Sequence, residues 1–144
     1  MLHYTSVLKA DYSDALEHLL FFNPGQEHAY PAIVDSLKLF GAPKIVGDKG
    51  NIRVKVEKLD EVQSLFAMDD DKLVGALVYS RVAYEHLAVI QIVVDNDYAH
   101  NGRFAERMLV MRMLELLRRN ARLIKGIDAI CLLSGNNNVR EIPV

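Results

Sequence analysis

Residues His86–Val94 form a run that is apolar at nearly every position. A strand with one face in water alternates apolar and polar side chains, whereas one covered on both faces does not. The run therefore belongs in the middle of a sheet, with packed layers on either side. The next residues narrow the choice further: a polar turn, Asn96-Asp97-Tyr98-Ala99-His100-Asn101-Gly102-Arg103, and then an apolar helix from about Phe104 to Asn120. A buried strand feeding a glycine-containing turn and a helix start can present backbone N–H groups to an anion.

Other segments are read by their periodicity. Leu2–Leu8 alternates weakly and predicts a first strand. Asp11 or Ser13 caps a helix over Tyr12–Phe22, with Ala15, Leu16, Leu19 and Leu20 on one face, and Asn23-Pro24-Gly25 ends it. A second helix runs from about His28 to Phe40 on a stripe of Ile33, Val34, Leu37 and Phe40. Gly41–Asn51, with Pro43, Gly47 and Gly50, reads as a loop. Ile52–Val56 alternates as a half-buried strand, and Val62–Met68 and Leu73–Val82 flank the turn Asp69–Lys72. Gly75 marks a bulge or a close approach. The long helix carries Met108, Met111, Leu114 and Leu117 on a stripe broad enough for a mostly buried element, and Arg118, Arg119 and Arg122 suit its C-terminal end. Ile127–Leu133 is a further buried strand. The order of elements is that of one α+β domain spanning 1–144, with 51% hydrophobic residues to build its core.

Charge and chemistry remove several function classes. The formal net charge of −2 gives no support for general polyanion binding, and no strand interleaves aromatic with basic residues as an RNA-binding sheet does. Cys131 is the only cysteine, which points to a reducing compartment and a structural thiol. His3, His18, His28, His86 and His100 have no ligand-like spacing among themselves or with Cys131, so no metal site is expected. Met1–Ala10 lacks the pattern of a secretion signal and no apolar run approaches the ~20 residues of a membrane span. The expectation is a cytoplasmic protein. Arg103–Lys125 holds seven basic and two acidic residues, a local bias that suits a phosphorylated ligand.

The junction at Ile90–Ala105 resembles the acyl-CoA-binding motif of the GNAT superfamily of N-acyltransferases, whose pattern after the strand is Arg/Gln-x-x-Gly-x-Gly/Ala. The element order of the whole chain is similar to that family's as well. Two registers are open. With Gly102 as the central glycine, Ala99 takes the Arg/Gln position and Phe104 that of the small residue. With Ala105 as the small residue, His100 takes the Arg/Gln position and Arg103 replaces the glycine. The second is preferred, because it sets Phe104, Met108 and Leu109 at the family's apolar helix positions.

The resemblance implies a mostly antiparallel central sheet flanked by helices, with acetyl-CoA as cosubstrate. Its pantetheine arm would lie along Ile92, Val93 and Val94, and its pyrophosphate over His100, Asn101, Gly102, Arg103, Phe104 and Ala105, with Asn136 nearby after the next strand. The acetyl acceptor would be an amine of a small molecule or a protein. The family often places a glutamate base on the cofactor strand or its neighbour, but Gln91 cannot serve, which leaves Glu85 and Tyr84 as the catalytic candidates. No tyrosine comes after Leu133 to act as the family's acid. The alternative is a catalytically impaired GNAT-fold protein that works as a protein-binding or regulatory module, and a third reading is an unrelated α+β interaction domain. Finally, Val139–Val144 is shorter than the segment the family has beyond this strand. The exposed edge of Ile127–Leu133 then predicts a homodimer, unless Val139–Ile142 folds back to cover it.

Overall fold

The computed structural model describes residues 1–21, 30–135 and 138–144. Its elements run β1 (Leu2–Thr5), β2 (Leu8–Lys9), α1 (Ser13–Phe21), α2 (Tyr30–Phe40), β3 (Pro43–Asp48), β4 (Asn51–Val56), β5 (Gln63–Asp69), β6 (Lys72–Ala83), β7 (His86–Val94), α3 (Leu109–Ala121), β8 (Ala129–Gly135) and β9 (Asn138–Pro143). Six strands form a mixed sheet in the order β1-β5-β6-β7-β8-β9, and β2-β4-β3 form a small second sheet. Every pair in the large sheet is antiparallel except β7 with β8. A parallel pair needs a crossover, and α3 provides it. The protein is of the α+β class. No described helix is long and apolar enough to cross a membrane.

β7 is interior to the sheet, as its unbroken apolar run requires. One face of the sheet packs Phe66, Val78, Ala88 and Ile90 against Leu16, Leu19 and Leu20 of α1 and Val54 of β4. The other packs Ala67, Leu77, Leu87 and Val89 against Leu109, Met113 and Leu117 of α3. Among the described residues the register of the large sheet shifts at four places, two of them in the middle of its central strands. One leaves Val74 extra in β6 opposite Ala67 and Met68. The other leaves Ile90 extra in β7, since Val78 pairs with Gln91 and Tyr79 with Val89. An extra residue reverses the phase of the strand beyond it. Ile90 and Val93 therefore share the α1 face although they are an odd number of residues apart.

Several sequence expectations are corrected. The first strand is split into β1 and β2, because the Thr5 hydroxyl donates to the Val7 carbonyl at 3.0 Å and accepts from its N–H at 3.2 Å, turning the chain. Gly41–Asn51 is no loop: β3 pairs with β4 through a two-residue turn in which Lys49 and Gly50 have φ of 50° and 85°. Ala15 is exposed beside buried Leu16. On α2 the most buried described side chains are Asp35 and Ser36, while Leu37 and Leu39 face solvent. α3 begins at Leu109, since Ala105–Arg107 is a separate 3-10 turn and Met108 is left-handed, φ 51° and ψ 51°. Its buried stripe is Leu109, Met113, Leu117 and Ala121, and Met108 and Met111 are exposed. The proposed ends of the first two helices at Phe22–Gly25 and His28, and Asn136, lie outside the described residues.

The chain does fold back after β8: β9 pairs with it antiparallel from Ala129↔Pro143 to Gly135↔Asn138. The exposed-edge argument for a homodimer loses its premise. Two arginines near the end of α3 hold β9 in place, Arg118 Nε donating to the Pro143 carbonyl and Arg122 Nε to that of Val144, each at 2.9 Å.

Candidate cleft where β7 and β8 part

The parallel ladder between β7 and β8 is short. It runs from His86↔Ala129 to Val89↔Leu132 and ends there. Beyond it β7 continues from Ile90 to Val94 beside β6 only, through Gln91↔Val78 to Val94↔Gly75, while β8 continues beside β9. The bulge at Ile90 sits where the strands part. α2 bridges the opening, with Ala32 and Ile33 closing a cleft of about 60 Å³ lined also by Val89, Ile90, Gln91, Ile92, Leu132 and Leu133.

Two side chains fix the floor of this cleft. Ser36 of α2 is buried and its hydroxyl donates to the Ile90 carbonyl at 2.8 Å, satisfying the group that the bulge removes from the ladder. Gln91 Nε2 donates to the Leu20 carbonyl at 3.2 Å and ties β7 to α1. Sequence reasoning missed Ser36: a serine within an amphipathic helix gives no sign that it faces a strand carbonyl.

The turn after β7 folds on itself. Asp95 accepts from the Asp97 N–H, and Asn96–Tyr98 forms a 3-10 turn. The Gly102 N–H donates to the Ala99 carbonyl at 2.8 Å, that of Phe104 to Asp97 at 2.5 Å, and that of Ala105 to Gly102 at 3.2 Å. A Cβ on Gly102 would overlap the Asn96 carbonyl oxygen and lie 2.6 Å from that of Asp97. Glycine is thus required by the turn's own backbone. Ile92, Val93 and Val94 end β7, and His100–Ala105 belongs to the turn that follows it. The amides of Gly102, Phe104 and Ala105, however, already have partners within the turn. Arg103 is exposed, with its guanidinium 5.1 Å from the centre of the Phe104 ring.

Glu85 and Tyr84 lie at the other end of β7, about 30 Å of strand from the turn at ~3.3 Å per residue. The Glu85 carbonyl accepts from the Asp128 N–H at 2.9 Å and the Ala129 N–H at 3.3 Å. Arg81 lies 4.5 Å from the Tyr84 ring centre and its Nε donates to the Tyr84 carbonyl at 2.9 Å. Both residues tie the β6–β7 turn to the segment before β8, and neither lines the cleft.

The turn is anchored to the sheet by a polar cluster. The buried Tyr98 hydroxyl donates to the Asp69 carboxylate at the end of β5, and Arg107 Nη1 stands 3.6 Å from the same carboxylate. The Tyr98 hydrogen bond first, then the Met1 ammonium and Arg107, hold the Asp69 carboxyl below the usual carboxylate range. A depressed native pKa means that Asp69 stabilises the fold above its unfolded value of about 3.9, and that this is lost as pH falls through the native value. Asp69→Asn is expected to melt below the wild type at pH 7, with the two melting temperatures converging below about pH 4. Parallel melting curves across that range would remove Asp69 from the stability of the turn.

Compared with known proteins, the chain matches no family model and no curated protein. Its class rests on the fold alone: an α+β protein with a mixed sheet and a cleft at the one parallel pair among the described residues.

Proposed function

We propose that this chain is a GNAT-like N-acyltransferase that binds acetyl-CoA where β7 parts from β8 and transfers the acetyl group to an amine of a small molecule or protein. The observation that carries the reading is the four-residue parallel ladder that stops beside a bulge in β7. It frees one side of Ile90–Val94 next to a helix-covered cleft, and the order of elements along the chain is similar to that family's. When bound, the cosubstrate supplies an activated acyl group as a thioester. The main chain of Ile92–Val94 would pair with its amide-containing arm as an added strand does. Ser36 and Gln91 hold that stretch of backbone still, which is the positioning an acyl transfer demands. The phosphate end fits less well, because three turn amides are engaged and Asp95 and Asp97 bring negative charge. Arg103 is the exposed cation in the turn able to meet a phosphate directly.

One observation favours the second reading, a module that binds without turnover. No carboxylate, histidine or tyrosine lines the cleft among the described residues, and Glu85 and Tyr84 are at the far end of the strand, so no described side chain stands ready to take the proton of an amine. Isothermal titration with acetyl-CoA is expected to show saturable binding, weakened about tenfold by Arg103→Glu, the loss of one charge-assisted contact. No heat at millimolar concentration defeats the acyltransferase reading and leaves only a module that binds another protein. Binding without release of free CoA thiol, across a panel of primary amines, selects the module.

A further inference from the structure

The register of the last three strands brings together donors that the cleft does not use. His86 opens β7, Cys131 lies on β8 and Glu141 on β9. The parallel ladder sets His86 opposite Ala129, and Cys131 is two residues along the same face. Cys131 in turn pairs with Glu141. Imidazole, thiol and carboxylate thus emerge on one side of three neighbouring strands, and one ligand atom from each lies within 4.8 Å of the other two. His86 Nε2 is 3.8 Å from Glu141 Oε1 and, outside the group of three, 3.7 Å from Oδ1 of Asp128, the aspartate just before β8. These separations are too long for hydrogen bonds. The one to Glu141 matches the edge of a coordination tetrahedron, where bonds of about 2.0–2.3 Å put ligand atoms about 3.3–3.8 Å apart.

We propose that His86, Cys131 and Glu141 bind a Zn²⁺ ion that pins β9 to β7 and β8, with water filling the fourth position and Asp128 beside the imidazole. This replaces the sequence expectation, in which linear spacing gave no reason to pair His86 with Cys131. The donor set selects the metal. Imidazole and thiolate suit a borderline-soft ion, whereas Mg²⁺ and Ca²⁺ require oxygen donors throughout. The charge balance agrees, since two carboxylates face a single imidazole and a divalent cation offsets them. On binding, the hydrated ion sheds water, the Cys131 thiol releases its proton to solvent, and the sulfur, nitrogen and carboxylate oxygen each donate a pair to the metal. The His86 and Glu141 side chains are 32% and 60% exposed, which leaves the ion an entry path. The effect falls on an outer strand otherwise held by one ladder and the two arginine contacts.

The test uses the full chain stripped with a chelator and reloaded. One equivalent of Co²⁺ is expected to produce a near-ultraviolet thiolate-to-cobalt band that Zn²⁺ then abolishes. Zn²⁺ at a hundredfold excess over its Kd is expected to raise the melting temperature by about 8 °C, and Mg²⁺ to leave it unchanged. Cys131→Ser should abolish the band. Glu141→Gln, on exposed β9, should weaken Zn²⁺ by at least about tenfold while keeping the far-ultraviolet spectrum of the parent. No cobalt band in the folded parent chain overturns the proposal, and so does a Zn²⁺ shift that survives both substitutions.

Discussion

Phe66→Ala is expected to cost about 4 kcal/mol and to lower the melting temperature by about 12 °C. Phe66 is 1% exposed at the middle of β5 and packs in the cluster shared with Leu16, Leu19 and Val54. The size of the effect comes from its surroundings. The ring also backs an open groove of about 330 Å³ whose lining includes Ser6, Arg53, Gln63 and Ser64 as well as Ile52 and Val54. Removing the ring leaves a gap behind that groove which β4 and β5, held in two different sheets, cannot close. Denaturant unfolding at 25 °C measures it directly, and a loss below about 1 kcal/mol would mean that the two sheets collapse together.

The second large effect is at Gly102. Gly102→Ala places a methyl group on the Asn96 and Asp97 carbonyls, and both are backbone atoms that cannot swing aside. The turn must open, at about 2–3 kcal/mol for overpacking of this kind. Opening breaks the bonds from Phe104 to Asp97 and from Gly102 to Ala99, so the expected signature is a lower melting temperature together with faster proteolysis within 96–104. An unchanged melting temperature and cleavage pattern would show that the turn has another conformation of equal energy. The variant also separates the roles of glycine in this turn. If acetyl-CoA affinity rises when the amides are released, the native turn opposes the phosphate end of the ligand.

The regular elements were legible where a face alternates or a run is uniformly apolar. β4 reads from Ile52, Val54 and Val56, β5 and β6 from the apolar runs around Asp70-Asp71, and β7 from its lack of alternation. β3 escaped because Pro43, Gly47 and Gly50 look like loop punctuation, although Pro43 and Gly50 stand at the strand's start and in its turn. The late start of α3 was hidden for a different reason: nothing local in Phe104–Met108 opposes a helix. The break comes from Phe104 packing on Tyr98, with ring centres 5.2 Å apart, and from Arg107 reaching across it. The candidate cleft was half visible. Its strand and turn are contiguous in sequence, but the point where β7 leaves β8, the Ser36 contact and the meeting of His86 with Cys131 and Glu141 depend on register between distant segments.

The bulge at Ile90 makes the length of β7 forgiving in one direction only. Before it, Leu87 and Val89 face α3, and after it Val94 does so while Val93 faces α1. Deleting Ile90 would restore simple alternation and leave Val93 toward α1 and Val94 toward α3, whereas inserting a residue into a regular part of the strand would turn every residue beyond it over. Adding one residue to the turn at 95–108 disturbs no such pairing. A chain of this kind can shed the one residue its bulge holds in reserve and keep both sides of its sheet, but it can gain a residue in a regular part of β7 only by exchanging them beyond that point.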